Sequence, residues 1–104
     1  MAIVYNDAAD GQLPNAKGTI YTAAGTEAGL YITLGNVSGS AVTASLYVNR
    51  TGSSRLIFKA QLAAGGTVPV DRPRLILKVG DLVQGDDGGA GGAAVDHTVS
   101  TYTP

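Results

Sequence analysis

The alternation of apolar and polar side chains is strongest between residues 30 and 49. Leu30, Ile32 and Leu34 share one face of a first extended segment. A second segment carries its apolar side chains on one face in the same way, at Val42, Ala44, Leu46 and Val48. Because successive side chains of a strand point to opposite faces, this period of two predicts half-buried antiparallel strands. The intervening Ser38-Gly39-Ser40 predicts a turn that pairs them.

Strand signals recur along the rest of the chain, separated by turn residues. The predicted strands are Gly18–Ala23, Leu30–Val37, Ala41–Arg50, Arg55–Leu62, Thr67–Asp71, Arg74–Val79, Leu82–Gly85 and Ala94–Tyr102. In Arg55–Leu62 the alternation places Leu56 and Phe58 on one face. Pro69 indicates an edge strand, because proline cannot donate a ladder hydrogen bond. The pattern predicts an all-β fold, a single antiparallel β-sandwich of about seven or eight short strands, jelly-roll or immunoglobulin-like.

The first 17 residues lack this alternation and are interpreted as an N-terminal arm, with the sandwich domain spanning residues 18–104. The arm nevertheless contains Ile3, Val4, Tyr5 and Leu13, apolar side chains that are costly to leave in water. We therefore expect these four residues to bind a neighbouring molecule, either another copy of the chain or another protein, and not to complete the core of their own domain.

Composition narrows the classes of function. Only 14% of the residues are charged and the net charge is −1, so electrostatics favours neither a nucleic-acid nor an anionic-membrane partner. The chain has no cysteine, which excludes disulfides and thiolate metal sites. No apolar stretch approaches a membrane span, and residues 1–16 do not resemble a signal peptide, so we expect a cytoplasmic product. Without such stabilising links, a small domain is expected to form a homo-oligomer.

A glycine-rich run, Gly88–Gly92, is the first candidate for chemistry. A phosphate loop needs a strand before it and a helix after it, whereas β-like sequence lies on both sides here, which favours a flexible hairpin loop. The neighbouring Asp86 and Asp87, with Asp81 and Asp96, lack the spacing of a calcium loop. No metal or other cofactor is expected.

His97 is the only histidine, and a catalytic role would require a nucleophile and an orienting carboxylate beside it. Asp96 and Ser100 are close in sequence, but on a strand both point to the face opposite His97. A structural histidine is the favoured interpretation. The sequence also lacks the nucleophile-elbow and zinc-hydrolase motifs, so the chain is not expected to be an enzyme.

Three other groups of residues have simple structural explanations. Arg50, Arg55, Arg72 and Arg74 form the only basic concentration, and solvated strand ends explain them better than nucleic-acid binding does. The glycosylation-type triplets at Asn36 and Asn49 lie beside turns, where asparagine is favoured for backbone reasons. The tyrosines are interpreted as rim or interface residues, although a sugar-stacking role stays open. They are Tyr5, Tyr21, Tyr31, Tyr47 and Tyr102.

Four segments in order carry a resemblance to a known group. They are TIYTAAGT (Thr19–Thr26), LGNVSGSAVTASLYVN (Leu34–Asn49), LAAGGTVPVD (Leu62–Asp71) and LILKVGDLVQG (Leu75–Gly85). With these segments, the chain resembles small virion structural proteins of tailed bacteriophages. The resemblance implies a β-sandwich that decorates the capsid or belongs to the neck or tail, and it carries over no catalytic residue.

The resulting expectation is a non-enzymatic virion component, most simply a capsid decoration (cement) protein that binds the major capsid protein or other virion proteins. It would be assembled in the host cytoplasm and located in the virion. The alternative is a tail- or neck-associated protein, or a carbohydrate- or receptor-binding module of a tail fibre that uses the tyrosines and the Asp86–Gly92 loop.

Overall fold

The computed structural model describes residues 4–27, 29–72 and 75–103 of the chain. These residues form eight β-strands and no helix. The strands are β1 (Val4–Gln12), β2 (Gly18–Thr22), β3 (Gly29–Asn36), β4 (Val42–Arg50), β5 (Ser53–Leu62), β6 (Thr67–Arg72), β7 (Leu82–Asp86) and β8 (Val95–Thr103). The all-β expectation is therefore confirmed.

The strands of the described residues lie in two four-stranded antiparallel sheets. Their orders are β1-β8-β3-β6 and β2-β7-β4-β5. The pairing is nested, since β1 pairs with β8, β2 with β7, β3 with β6 and β4 with β5. Nested pairing of eight strands that are rolled into two sheets is the arrangement of a jelly roll. The β-sandwich expectation is confirmed, and the strand order selects the jelly roll over the immunoglobulin-like alternative.

The core lies between the inner faces of the two sheets. From β3, the alternating residues Leu30, Ile32 and Leu34 are fully buried, as their pattern predicted. The opposite sheet contributes Ala44, Leu46 and Val83, which are also fully buried. Further buried apolar residues are Leu13, Ala23, Val42, Val48, Leu62, Val70, Leu77, Ala94, Val95 and Val99.

The expected pairing of β3 with β4 is wrong, because the two strands lie in different sheets. The side chain of Asn36 explains how the chain crosses from the sheet of β3 to the sheet of β4. Its buried amide donates to the carbonyl oxygens of Ser40 (2.8 Å) and Leu62 (3.0 Å), and its Oδ1 accepts from the backbone N–H of Ser38. The turn is thus fastened to the end of β5, and the apolar faces of β3 and β4 meet across the core instead of side by side.

The predicted face of β5 is also wrong at one end. The β4–β5 register shifts between Leu46 and Tyr47, which leaves Ile57 as the extra residue of a β-bulge. The bulge exchanges the two faces, so Ile57 packs against the core and Leu56 is 55% exposed. Alternation alone cannot show such an insertion.

The predicted strand over Arg74–Val79 is absent from its described part, residues 75–79. Only an isolated bridge between Glu27 and Leu77 forms there, with N···O distances of 2.8 and 2.9 Å. Leu77 is fully buried, whereas Ile76 and Val79 are exposed. The segment carries the chain from β6 in one sheet to β7 in the other, which prevents it from following either ladder.

The edge position expected for Pro69 is confirmed, because β6 is the last strand of its sheet and Pro69 pairs only with Thr33 on β3. Arg72, at the end of β6, reaches across to the other sheet. Its Nη2 donates to the carbonyl oxygen of Ile57 at 2.8 Å. This bond joins the two sheets along the side where β5 and β6 are neighbours, and it satisfies a carbonyl at the bulge.

The N-terminal segment is not the irregular lead-in that the sequence suggested. Residues Val4–Gln12 form β1, which pairs with β8 of the same chain, and Leu13 is fully buried in the core. A bulge between Asp7 and Ala9 interrupts the alternation, which explains why no strand was evident. Ile3 lies outside the described residues, as do the side chains of Val4 and Tyr5. Their contact with a partner stays a prediction, and Leu13 is taken up by its own domain.

Replacement of Leu13 with alanine should destabilise the isolated chain by about 2–5 kcal/mol, since it removes a fully buried side chain and leaves a cavity. Urea unfolding monitored by circular dichroism measures this loss. Leu56→Ala, the same change at an exposed position, is the matched control and should alter the free energy of unfolding by less than about 0.5 kcal/mol.

Deletion of residues 2–16 should cost more than Leu13→Ala, because it also removes the edge strand β1. A deleted chain that unfolds cooperatively at the wild-type urea midpoint would contradict this assignment of the segment to the core.

Candidate functional site: a basic and apolar groove

The strand connections gather at two opposite ends of the sandwich. One end, here the basic end, contains the loop of residues 23–27, the β4–β5 turn at Thr51-Gly52 and the segment of residues 75–81. The other end, here the acidic end, contains the connections at residues 13–17, 37–41, 63–66 and 87–94. Each end therefore collects residues that are far apart in sequence.

A groove crosses the basic end. It consists of two adjoining depressions of about 450 and 290 Å³, which share Arg50 and Thr51 in their walls. The larger is also lined by Ile76, Lys78 and Asp81. The smaller is lined in addition by Val48, Ser53, Arg55, Ile57 and Leu75. The groove thus has an apolar floor and cationic walls.

Arg50 positions one wall of the groove. Its Nε lies 3.4 Å from Asp81 Oδ2, and its Nη2 donates to the carbonyl oxygen of Ile76. Asp81 Oδ2 also accepts the backbone N–H of Lys78 at 2.9 Å. These contacts fasten the segment of residues 75–81 to the end of β4, so that Ile76 and Lys78 are held beside the arginine.

The tight β4–β5 turn forms the other wall. Thr51 has φ 51° and Gly52 has φ 85°, the two consecutive positive values of a type I′ hairpin. Gly52 N–H donates to Asn49 Oδ1 at 3.1 Å, which gives the asparagine of this glycosylation-type triplet a turn-forming role. The sequence identified the turn and the basic residues separately. The local β4–β5 hairpin brings Arg50 and Arg55 close together, and only the fold adds Lys78 to the same groove, while Arg74 lies outside the described residues.

Beneath the basic end lies a buried polar pair. The Tyr21 hydroxyl donates to Glu27 Oε1, and burial, followed by the bond to this carboxylate, raises the pKa of Tyr21 to about 12. The phenol therefore stays protonated near neutral pH. Because Glu27 also forms the bridge with Leu77, this pair is connected to the segment of residues 75–81.

The glycine-rich loop at the acidic end is closed around Asp87. This carboxylate is 1% exposed and accepts the backbone N–H groups of Gly89 (3.2 Å), Ala90 (2.9 Å) and Gly92 (2.7 Å). Those amides are occupied by the chain itself, so they do not form a phosphate cradle. The loop is also not a hairpin, because β7 and β8 lie in different sheets. Among the described residues, no group of three or more metal-ligating side chains occurs.

His97 faces the core with Val95 and Val99, as its alternation predicted, and is 5% exposed. Burial lowers its pKa, against the opposing charges of Asp10 and Asp96. Asp96 is exposed and Ser100 is half-buried, and neither forms a hydrogen bond with His97 among those found in the described residues. Its Nδ1 is buried and has no hydrogen-bond partner among the described residues.

The tyrosines do not form one aromatic platform in the described part of the chain. Tyr47 donates to Asp86 Oδ2 at 2.9 Å, and Lys17 Nζ lies 4.4 Å from its ring centroid. Tyr31 is on the other sheet, and Tyr21 is engaged with Glu27. Tyr47 and the start of the Asp86–Gly92 loop do meet, and the carbohydrate-binding alternative stays a prediction. Nothing is described of the side chains of Tyr5 and Tyr102.

No family model and no curated protein matches the chain. Solved structures match it. A protein of the disulfide-linked pili that form Bacillus endospore appendages shares 14% identity, with a TM-score of 0.57 over 96% of this chain and 85% of the other. The crystal structure of PirA gives 14% identity and a TM-score of 0.54 over 94% of both chains. A pentameric capsid protein from metagenomic phage sequences gives 18% identity and a TM-score of 0.47, over 91% and 60%.

At 14% identity, the likeness to the first two structures concerns the fold alone. Among the described residues, no helix has the length and apolar character to cross a membrane.

Asp87→Asn should destabilise the protein by about 1–3 kcal/mol. The carboxylate oxygen that accepts the Gly92 N–H is replaced by an amide NH2 group, so that two hydrogen-bond donors face each other. Thermal unfolding at neutral pH measures this. Asp10→Asn, which removes the same charge at an exposed position, is the control. Equal melting temperatures for the two variants would contradict the role given to Asp87.

Stability should fall as the pH is lowered from 7.5 to 5.5. Burial holds the pKa of His97 in the folded state below its ordinary value of 6.5, so the unfolded chain takes up the proton first. The stabilisation is therefore present above pH 6.5 and declines as the pH falls below it. Urea unfolding at several pH values measures this slope, which should flatten in His97→Gln. An unchanged slope in that variant would assign the pH dependence to other groups.

Proposed function

We propose that this chain is a non-enzymatic structural subunit of a bacteriophage virion, and specifically a capsid decoration protein. The observation that carries the proposal is the distribution of exposed apolar side chains. Among the described residues, the exposed large hydrophobic residues are Val37, Leu56, Ile76 and Val79. Ile76 and Val79 lie together on the segment of residues 75–81, beside the cationic walls of the groove. A surface of this kind fits contact with another protein.

The arrangement of polar groups supports the same proposal. Two of the polar groups that could have served catalysis have structural partners: the hydroxyl of Tyr21 donates to Glu27, and the Asp87 carboxylate accepts backbone N–H groups of its loop. A decoration protein needs no reaction centre. It binds the shell at many symmetric sites and stabilises it through buried area and linkage. The resemblance of segments such as LILKVGDLVQG to virion proteins of tailed phages points in the same direction.

A neck- or tail-associated protein is the second candidate within this class, and copy number separates the two. Quantitative mass spectrometry of purified virions that contain this chain should find copies on the order of hundreds for a decoration protein of an icosahedral shell. About six to twelve copies would instead assign it to a ring at the neck or tail. Absence from virions would overturn the proposal.

A binding experiment tests the site. The triple variant Ile76→Ser, Val79→Ser, Lys78→Glu should fold like the wild type, since all three side chains are exposed, but should dock on heads that lack the protein at least about tenfold more weakly. Lys59→Glu, an exposed charge reversal on β5, is the control. Docking of the triple variant at wild-type occupancy would show that the shell contacts another surface.

A further inference from the structure

We infer that the chain self-associates head to tail, with the groove at the basic end of one copy binding the acidic outer face of β1 and β8, towards the other end, of a second copy. The inference rests on the structural role proposed above and deepens it, because it names the two surfaces through which copies meet. A groove that holds a second copy is not available to the shell, so the docking test above applies to copies whose groove is free. Both surfaces are present on every copy, so no other kind of molecule is needed to complete the contact.

The basic surface carries cations that the chain does not neutralise itself. Arg50 is paired with Asp81, but among the described residues neither Arg55 nor Lys78 takes part in a salt bridge. Both are exposed and line the groove. The groove therefore combines the apolar side chain of Ile76 with two positive charges that have no salt-bridge partner among the described residues.

The acidic surface has the complementary features. A shallow depression of about 350 Å³ lies on the outer face of β1 and β8 and is lined by Asp10, Gln12 and Asp96, among others. Both carboxylates are exposed, and Asp96 accepts one hydrogen bond from Gln12 at 3.2 Å. Val37 lies beside this surface, since its N–H donates to the carbonyl oxygen of Ala94 at 2.9 Å.

Val37 is 59% exposed, which gives the acidic surface its own apolar side chain. Each surface thus combines at least one exposed aliphatic residue with two like charges, and the charges of the two surfaces are opposite. Apolar contact supplies stabilisation, and the charges at the rim guide the encounter and fix its orientation.

The position of the two surfaces decides the type of assembly. β3 begins at Gly29 at the basic end and finishes at Asn36 beside Val37, so the surfaces lie at opposite ends of the sandwich. A contact between different surfaces is heterologous. Repeated, it gives a ring if the rotation closes and a filament if it does not. A two-fold dimer formed through the basic surface alone, or through the acidic surface alone, would bring like charges together.

A charge-swap experiment tests this contact. One variant carries Arg55→Glu and Lys78→Glu, and the other carries Asp10→Lys and Asp96→Lys. In sedimentation velocity, the wild type should associate with increasing concentration, and each variant alone should associate at least about tenfold more weakly. An equimolar mixture of the two variants should recover the association, because the acidic groove of one then faces the lysines of the other.

Controls make each result interpretable. Lys59→Glu reverses an exposed charge outside both surfaces and should associate like the wild type. The paired variants Val37→Ser and Ile76→Ser change no charge and should also weaken association, which keeps the test valid if a charge-reversed chain folds poorly. Raising the salt concentration to about 0.5 M should reduce wild-type association, since rim charges are screened.

Three outcomes would overturn the inference: a wild-type chain that is monomeric at all concentrations, charge variants that associate as the wild type does, or folded variants whose mixture does not recover. None of these decides whether the chain is in a virion. A decoration protein that docks as single copies would fail here and still be found on the shell, so the two proposals fail separately.

Discussion

Packing of the two inner sheet faces against each other is the constraint on which the rest of the structure depends. Each strand has one apolar face, and all of these faces must reach the same interior. The contact is close at Gly85, where a Cβ atom would lie 2.9 Å from Leu13 and 3.2 Å from Leu46. Here the first connection, β4 and β7 meet with no space for a side chain. Glycine at this position therefore allows Leu13 and Leu46 to pack directly on β7.

This packing explains why most connections cross between sheets. The turn after β3, the segment before β7 and the loop before β8 each carry the chain from one sheet to the other, and only β4–β5 is a local hairpin among the described strands. Crossing connections cannot use the ladder of either sheet for their own backbone groups. Side chains instead form hydrogen bonds with backbone groups of these connections, as Asn36, Asp81 and Asp87 show. The polar residues that first suggested chemistry are thus needed for the fold.

The groove follows from the same arrangement. The segment of residues 75–81 cannot enter a sheet while it crosses, so it lies over the basic end and leaves Ile76 and Val79 in solvent. Arg50 and the Glu27–Leu77 bridge hold it there. A small domain with few charges thereby presents an apolar and cationic surface at one end, opposite the exposed carboxylates at the other.

The sequence by itself determined most of the strands and the inner residues of β3, β4 and β8, because alternation is a local property of each strand. It also indicated the edge position of Pro69. Only the tertiary structure decided which strands pair, since a turn such as Ser38-Gly39-Ser40 does not specify whether the chain returns to the same sheet. The bulges near Ala9 and Ile57 reversed or concealed the alternation, and so Leu13 was misassigned and Leu56 was placed on the wrong face. The groove could not be predicted either, because it depends on which connections meet at one end of the sandwich. Lys78 joins Arg50 and Arg55 only because distant connections share one end of the sandwich.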